Sequence, residues 1–202
     1  MERSSPSPGR RRVLRGTALA VLPYALLPGP RAGDRPRAPD HPSGVWEPAS
    51  PSNRTAAEGP QPRSVDLVVI HVTQTTYRNT LSVFRDPASA VSAHYLVRSA
   101  DGLVAQCVRE RDIAWHAGDW AHNTRSVGIE HEGWVDEPGW FTDALYERSA
   151  RLTAAICDRH GIPKDRAHII AHHEIPGTDH TDPGPHWDWP RYLRLVGSVR
   201  RP

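Results

Sequence analysis

A short apolar segment, residues 65–72 (VDLVVIHV), limits the folds that this chain can adopt. Only Asp66 and His71 interrupt its run of valine, leucine and isoleucine, and the apolar residues do not alternate with polar ones. A continuous run of this length is typical of a strand that is buried on both faces. The segment therefore predicts a core strand that ends near His71.

Further strands are predicted on the C-terminal side of this segment. The sequences SAHYLVR (92–98) and LVAQCV (103–108) flank Ser-Ala-Asp-Gly, which is a turn signal, so the pair predicts a hairpin. SVGIEHEG (126–133) is predicted to be another strand, and HIIAHH (168–173) a short strand or loop edge.

Helices are predicted between and after these strands. A short helix is expected over Asn79–Phe84, and the strongest helical pattern runs from Thr142, a plausible N-cap, to Gly161. A closing helix begins at Asp188, with Pro190 in its first turn. Strands interleaved with helices predict an α/β domain with a mixed central β-sheet flanked by helices.

The distribution of charge separates the N-terminal part of the chain from the rest. We predict an export signal over 1–32, a Pro-rich linker over 33–64 and a folded domain over 65–202. Residues 1–40 contain eight Arg and three acidic residues, whereas the remainder has 17 basic and 20 acidic residues. The basic excess thus lies outside the predicted domain, which argues against a nucleic-acid partner.

The first residues resemble a secretion signal. Arg10-Arg11-Arg12 precedes the apolar run GTALAVLPYALLPG (16–29), in the manner of a twin-arginine signal. We therefore predict secretion to the cell wall, with no stable membrane insertion once the signal is removed. A signal for the general secretion pathway and an uncleaved anchor are the alternatives.

Cys107 and Cys157 are the only two cysteines. Two cysteines can form one disulfide in an exported protein. The apolar helical pattern around Cys157 favours two buried free thiols instead.

A rigid loop near the C-terminus collects side chains that bind metals. The sequence HHEIPGTDHTDPGP (172–185) places three His and three carboxylates among Pro and Gly, which exclude a helix or a central strand. With His71, the residues His172 and Asp182 supply two imidazoles and one carboxylate, a ligand set of catalytic zinc that leaves one position for water. The spacing alone is weak evidence, because a single His at a strand end is more often structural.

Five motifs strengthen this interpretation through a resemblance. VVIHVT, VSAHYLV, IAWHAG, SVGIEHEG and AHHEIPGTDHTDPGP occur in the order and spacing of the type 2 N-acetylmuramoyl-L-alanine amidases, which are related to peptidoglycan recognition proteins and phage lysozyme-amidases. The likeness runs from about Val65 to Val196. It implies a zinc site at one end of a substrate groove in domain 65–202, and cleavage of the amide between N-acetylmuramic acid and L-alanine.

The resemblance also assigns roles near the metal. His71, His172 and Asp182 match the zinc ligands, and Glu130 matches the catalytic Glu that handles the water's proton. Glu132 points to the same side of the strand and is the alternative. His180 stands where several relatives carry Lys, so we expect it to donate to the oxyanion and to add charge only when protonated.

Four residues are expected to contact substrate, which the resemblance implies to be peptidoglycan or muropeptides. Trp115 and His116 match a loop that lines the cleft, although burial of Trp115 in the core is an alternative. Asn123 and Arg125 precede the Glu130 strand and are expected to contact the glycan or the stem peptide.

Two rival functions follow from the same sequence. A non-catalytic peptidoglycan-binding module is the alternative, but such relatives usually lose a zinc ligand and all three matched positions are kept here. A secreted zinc protease is disfavoured because the sequence contains no H-E-x-x-H motif.

Overall fold

A six-stranded mixed sheet forms the centre of the protein in a computed structural model that describes residues 38–58 and 63–199. In chain order the strands are β1 (Gly44–Trp46), β2 (Arg54–Thr55), β3 (Leu67–Val72), β4 (Tyr95–Val97), β5 (Val104–Gln106), β6 (Ile113–Ala114), β7 (Ser126–His131) and β8 (Ile169–Ala171). The α-helices are α1 (Tyr77–Arg85), α2 (Trp120–Arg125), α3 (Asp143–His160) and α4 (Trp189–Ser198). Short 3-10 helices cover Pro51–Asn53, Pro138–Trp140 and His172–Glu174.

The sheet has the order β1-β5-β4-β7-β3-β8, and β2 pairs with β6 in a separate small ribbon. β3 lies between β7 and β8 and is parallel to both, while β4 is parallel to β7 and antiparallel to β5. The predicted mixed sheet and the predicted hairpin are both confirmed. As the apolar segment predicted, β3 is buried along its entire length.

The prediction of a linker over 33–64 is wrong for residues 38–58, which are folded onto the domain. β1 forms a parallel edge of the sheet beside β5, and the Glu47 N–H continues the pairing by donating to the Gln106 carbonyl at 2.9 Å. Asn53 is fully buried, and its Nδ2 donates to the carbonyls of Phe84 and Asp86. An edge strand tolerates Pro-rich surroundings, so composition alone concealed this contribution. The predicted export signal over 1–32 lies outside the described residues.

Both C-terminal helices begin where the sequence predicts, and α3 also ends there. The Thr142 hydroxyl accepts a hydrogen bond from the Leu145 N–H at 3.2 Å, and Gly161 ends α3 in the left-handed region at φ 70°. The Asp188 carboxylate accepts from the Arg191 N–H at 2.9 Å and caps α4.

The sheet packs against different partners on its two faces. Val68, Ile70 and Val72 of β3 belong to the core that also contains α3 and α4. Val69 packs on the opposite side with Ala117 and Ile175, which come from loops. Because neighbouring residues of a strand point to opposite faces, His71 shares the loop-covered face with Val69.

Both cysteines are buried free thiols, in agreement with the reading that the sequence favours. Burial raises the pKa of Cys157 to about 12. None of the helices in the described ranges has the length and apolar character that a membrane crossing requires.

Candidate active site

His71 and Glu130 are neighbours on the loop-covered face of the sheet. β3 and β7 are parallel, and their register places His71 directly opposite Glu130. In β7, Ile129 belongs to the core beside α3, so Glu130 points to the other face. The two side chains therefore meet at the C-terminal ends of two adjacent strands.

His172 and Asp182 complete a group of three residues that can hold a metal ion. One ligand atom from each of His71, His172 and Asp182 lies within 4.8 Å of the others, and all three residues are buried. The Asp182 carboxylate is 3.3 Å from Nδ1 of His71 and 3.1 Å from Nδ1 of His172. It also accepts a hydrogen bond from the Val72 N–H at 3.2 Å, which ties the loop to the end of β3.

The chemistry of these residues fits zinc. Two imidazole nitrogens and one carboxylate oxygen make the usual protein contribution to a catalytic zinc site with one open position. Nε2 of His172 and Oε2 of Glu130 are buried and lack a hydrogen-bond partner among the described residues. Buried polar atoms are normally paired, so unpaired atoms beside the candidate metal ligands are consistent with a site that binds a ligand.

His180 lies over this cluster at its open side. Its ring stacks on that of His172, with centroids 4.1 Å apart, and its Nδ1 is 3.4 Å from Oδ1 of Asp182. More than half of its side chain is exposed. This position suits a group that reaches a substrate above the metal cluster.

The two glutamates of β7 and its extension have different environments. Glu130 faces the cavity, and burial raises its pKa well above the usual value, with the Asp182 charge adding to the effect. Glu132 instead accepts hydrogen bonds from the N–H groups of Tyr77 at 2.8 Å and Ser99 at 2.9 Å. Both Glu132 oxygens thus hold the fold together, which leaves Glu130 as the candidate for proton transfer.

The backbone of His71 is held from the opposite face of the sheet. Burial lowers the pKa of His131 to about 3, so this ring is neutral, and its Nδ1–H donates to the His71 carbonyl at 2.8 Å. Nε2 of His131 must then accept from the Ser149 hydroxyl at 2.6 Å. Ser149 accepts in turn from the Tyr192 hydroxyl, and Tyr192 from Thr153, at 2.7 Å each. A one-way series of hydrogen bonds therefore connects α3 and α4 to His71.

The three candidate metal ligands His71, His172 and Asp182 are called the metal cluster below. A groove of about 690 Å³ opens above it. The lining comprises Val72, Thr73, Gln74, Ala90, Val91, Trp115, His116, Gly118, Trp120, Asn123, Glu130, His172, His180 and Asp182. The predicted metal ligands His172 and Asp182 line this groove together with the predicted catalytic residues Glu130 and His180. The structure thus brings these side chains into a single cavity.

Three of the four predicted substrate contacts border this groove. Trp115 is half-buried in the wall, where its Nε1–H donates to Thr55 Oγ1 at 3.0 Å. Asn123 uses Oδ1 to accept from the N–H groups of His116 and Ala117, at 3.0 and 2.9 Å. His116 is buried, and its Nδ1 lies 2.9 Å from Nε2 of His71. Asn123 and His116 therefore shape the wall and the metal cluster, and their substrate contacts remain a prediction.

Arg125 is not among the residues that line the groove, and its expected contact with the glycan or the stem peptide stays a prediction. It ends α2 just before β7 and pairs with half-buried Asp66 at the N-terminal end of β3. Five residues of extended chain separate it from Glu130, about 16 Å at the usual rise of a strand. Proximity in sequence placed it near the site, but the direction of β7 carries it away.

Sequence reasoning missed seven residues of the groove wall, and three of them have unusual exposure or backbone geometry. Trp120 has 57% of its surface exposed at the groove, and nothing in the sequence separates it from the buried tryptophans. Gln74 and Ala90 adopt positive φ angles of 53° and 52°, which residues other than Gly rarely do. Such backbone conformations often occur at functional sites and leave no signal in the sequence when Gly is not used.

A cavity that gathers a possible metal cluster and a buried carboxylate is the arrangement of a hydrolytic enzyme. A family model described as N-acetylmuramoyl-L-alanine amidase matches residues 61–185. The match covers more than half of the chain, so the protein belongs to this amidase family and is a hydrolase. The resemblance stated from the five motifs is confirmed.

Similar proteins support this assignment. N-acetylmuramoyl-L-alanine amidase A of Achromobacter lyticus is 34% identical over 171 residues, which cover 76% of this chain and 93% of that protein. A crystal structure of a selenomethionine derivative of AmpD has a TM-score of 0.62 at 30% identity and covers 76% of this chain and 94% of that chain. AmiD of E. coli, solved with anhydro-N-acetylmuramic acid-L-Ala-D-γ-Glu-L-Lys, has a TM-score of 0.57 at 26% identity, with 71% and 66% covered.

Proposed function

We propose that this protein is an exported, zinc-dependent amidase that hydrolyses the bond between N-acetylmuramic acid and L-alanine in peptidoglycan. The observation that carries the proposal is that Glu130 and His180 line one groove with His172 and Asp182, whose ligand atoms cluster with that of buried His71. The muropeptide bound to the similar enzyme AmiD supports the substrate class.

Zinc, when bound, acts as a Lewis acid toward a carbonyl oxygen and makes a water molecule more acidic. His71, His172 and Asp182 would hold it, and the burial of all three keeps bulk water away from the ligand atoms. Asp182 lies 3.3 Å from Nδ1 of His71 and 3.1 Å from Nδ1 of His172, and both histidines are buried, so the three donors converge on one point.

Glu130 is the proton carrier in this proposal. It takes a proton from the attacking water and delivers it to the amine of L-alanine as the amide bond breaks. Its raised pKa suits this double role, because a carboxyl group that holds a proton more readily than usual can act as acid as well as base.

His180 stabilises the negative oxygen that develops on the lactyl carbonyl. Its exposed ring can approach a substrate from the groove, and its stacking on His172 limits its orientation. A protonated His180 contributes charge as well as a hydrogen bond, whereas the neutral ring contributes only the hydrogen bond.

Export is the part of the proposal that rests on sequence alone. The twin-arginine-like segment at the start of the chain would carry the protein to the compartment that contains peptidoglycan. N-terminal sequencing of the protein recovered from outside the cell tests this: a mature N-terminus between about residues 29 and 38 is expected, and retention of the protein inside the cell would contradict it.

The enzymatic proposal is tested by digesting purified peptidoglycan with the full chain and identifying the fragments by mass spectrometry. Free stem peptides that begin with L-alanine are expected, with loss of the product on chelation and recovery on adding zinc. Glu130→Gln serves as the matched control, because it keeps the size of the side chain and all three metal ligands. Binding without cleavage would identify a recognition module, and cuts within the stem peptide would identify a peptidase.

A further inference from the structure

We propose that His116 and Ser126 are positioning residues that fix the proton of the His71 imidazole on Nε2 and thereby present a bare Nδ1 to the metal. This inference concerns the metal site of the proposed function and rests on it. It assigns Ser126 a role that neither the motif nor the groove lining suggests, because Ser126 lies at the start of β7 and is fully buried.

Three contacts link His71 to the backbone of α2. Nε2 of His71 is 2.9 Å from Nδ1 of His116. Nε2 of His116 is 3.2 Å from the Ser126 hydroxyl oxygen, and that oxygen is 2.6 Å from the carbonyl of His122. All of the participating side chains are buried, so water does not compete for these bonds.

The carbonyl at the end of this series determines the direction of every bond. A carbonyl only accepts, so the single hydroxyl proton of Ser126 is committed to His122. The Ser126 oxygen can then only accept from His116, which places the His116 proton on Nε2 and leaves its Nδ1 as an acceptor. Because Nδ1 of His116 accepts, Nε2 of His71 must carry the proton that is donated to it. A neutral imidazole has a single N–H proton, so Nδ1 of His71 carries none.

The ring of His116 is held in place independently of this series. Gly128 lies directly beneath it, and a Cβ at that position would be 2.4 Å from Cγ of His116. The Asn123 side chain fixes the loop from the other side by accepting from the His116 N–H at 3.0 Å. The support for His71 is therefore built into the sheet and α2, and does not depend on a bound ion.

Fixing the proton matters because the two tautomers of His71 differ in what they present to Asp182. With the proton on Nε2, the Nδ1 lone pair points toward the carboxylate 3.3 Å away, and a cation between them satisfies both groups. The other tautomer would put an N–H where a ligand is needed. Partners that orient a metal-binding His commonly contribute about 10–100-fold to metal affinity.

The test reads the tautomers directly in the full chain. Long-range proton–nitrogen NMR of the imidazole rings is recorded at mildly alkaline pH, both metal-free and with zinc, and zinc dissociation constants are measured by competition with a chelator. Ser126→Ala removes the acceptor for His116. Ser99→Ala is the matched control, since Ser99 is also buried and donates to a backbone carbonyl, that of Trp140 at 2.5 Å, but touches neither histidine.

The expected result is a proton on Nε2 of both His116 and His71 in the metal-free protein. Ser126→Ala should give mixed His116 tautomers and weaken zinc binding by about tenfold, whereas Ser99→Ala should change it less than about twofold. A proton on Nδ1 of His116 in the unaltered protein would overturn the inference, as would equal zinc affinities for the two variants. The metal-free spectra need neither substrate nor activity, so this failure is distinct from a failure of the amidase proposal.

Discussion

Replacing Gly128 by alanine tests whether the sheet itself supports the metal cluster. The added Cβ would lie 2.4 Å from Cγ and 2.6 Å from Nδ1 of His116, whereas ordinary contact begins at 3.4 Å. The ring must therefore retreat from the sheet by about 1 Å, the difference between 3.4 and 2.4 Å. A shift of that size cannot preserve both the 2.9 Å contact with His71 and the 3.2 Å contact with Ser126.

Two effects of Gly128→Ala should be measurable. Overpacking a buried site usually costs about 1–3 kcal/mol, and relief of the entropic cost of Gly in a strand returns roughly 0.5–1 kcal/mol. The free energy of unfolding of the metal-free protein should thus fall by about 1–2 kcal/mol. Zinc affinity should fall by about 10–100-fold, because His71 loses its orienting partner.

Chemical denaturation and competition for zinc measure these two quantities. Gly197→Ala is the matched control, because a Cβ at Gly197 of α4 meets nothing within 4 Å. That variant should keep its zinc affinity and be at least as stable as the unaltered protein. If Gly128→Ala also keeps both properties, the close seating of His116 on β7 is refuted.

Four further changes give distinct outcomes. Glu130→Gln should slow hydrolysis by about 10²–10⁴-fold in product assays while calorimetry shows unchanged zinc binding; a smaller loss would remove it as the proton carrier. His180→Lys should extend activity to higher pH in a rate–pH profile, and an unmoved profile would exclude His180 from the chemistry. Trp120→Ala should raise KM for peptidoglycan without lowering the thermal midpoint, since its side chain is exposed at the groove. Burial opposes ionisation of Glu110, but hydrogen bonds from a histidine and an arginine of α3 hold its pKa at about 2. Glu110→Gln should therefore be less stable than the unaltered protein at neutral pH, and unfolding measurements should show this difference vanishing as the pH falls from 4.5 to about 2.

Elements with strong local signals were predictable from the sequence. The apolar run of β3 specified a strand buried on both faces, and Thr142 and Gly161 marked the ends of α3. β1 was not predictable in this way, because it is stabilised by pairing with β5 some sixty residues later and its own sequence is short and Pro-flanked. Local composition therefore suggested a linker where long-range pairing makes a strand.

The candidate site shows the same division. His172 and Asp182 were identified from their ligand chemistry together with the resemblance of the five motifs, and Glu130 from that resemblance, because alternation along the strand places Glu132 on the same side. The supporting role of His116 was not predicted, since adjacency to Trp115 in a loop says nothing about which side chain turns inward. Arg125 precedes the six residues of β7, so its nearness to Glu130 in the sequence does not place the two side chains together.

The bonds that end on the His71 carbonyl affect how far the protein can be shortened. The family match stops at residue 185, and every proposed ligand and catalytic residue lies before that limit. α4 lies after it and supplies Tyr192, whose hydroxyl donates to Ser149 and through it to His131. A chain trimmed at the matched boundary would retain the full inventory of active-site residues and yet lose the Tyr192 hydroxyl, which bonds Ser149 and Thr153 on the side of the sheet opposite the metal cluster. The smallest working enzyme should therefore extend through α4 to about residue 198.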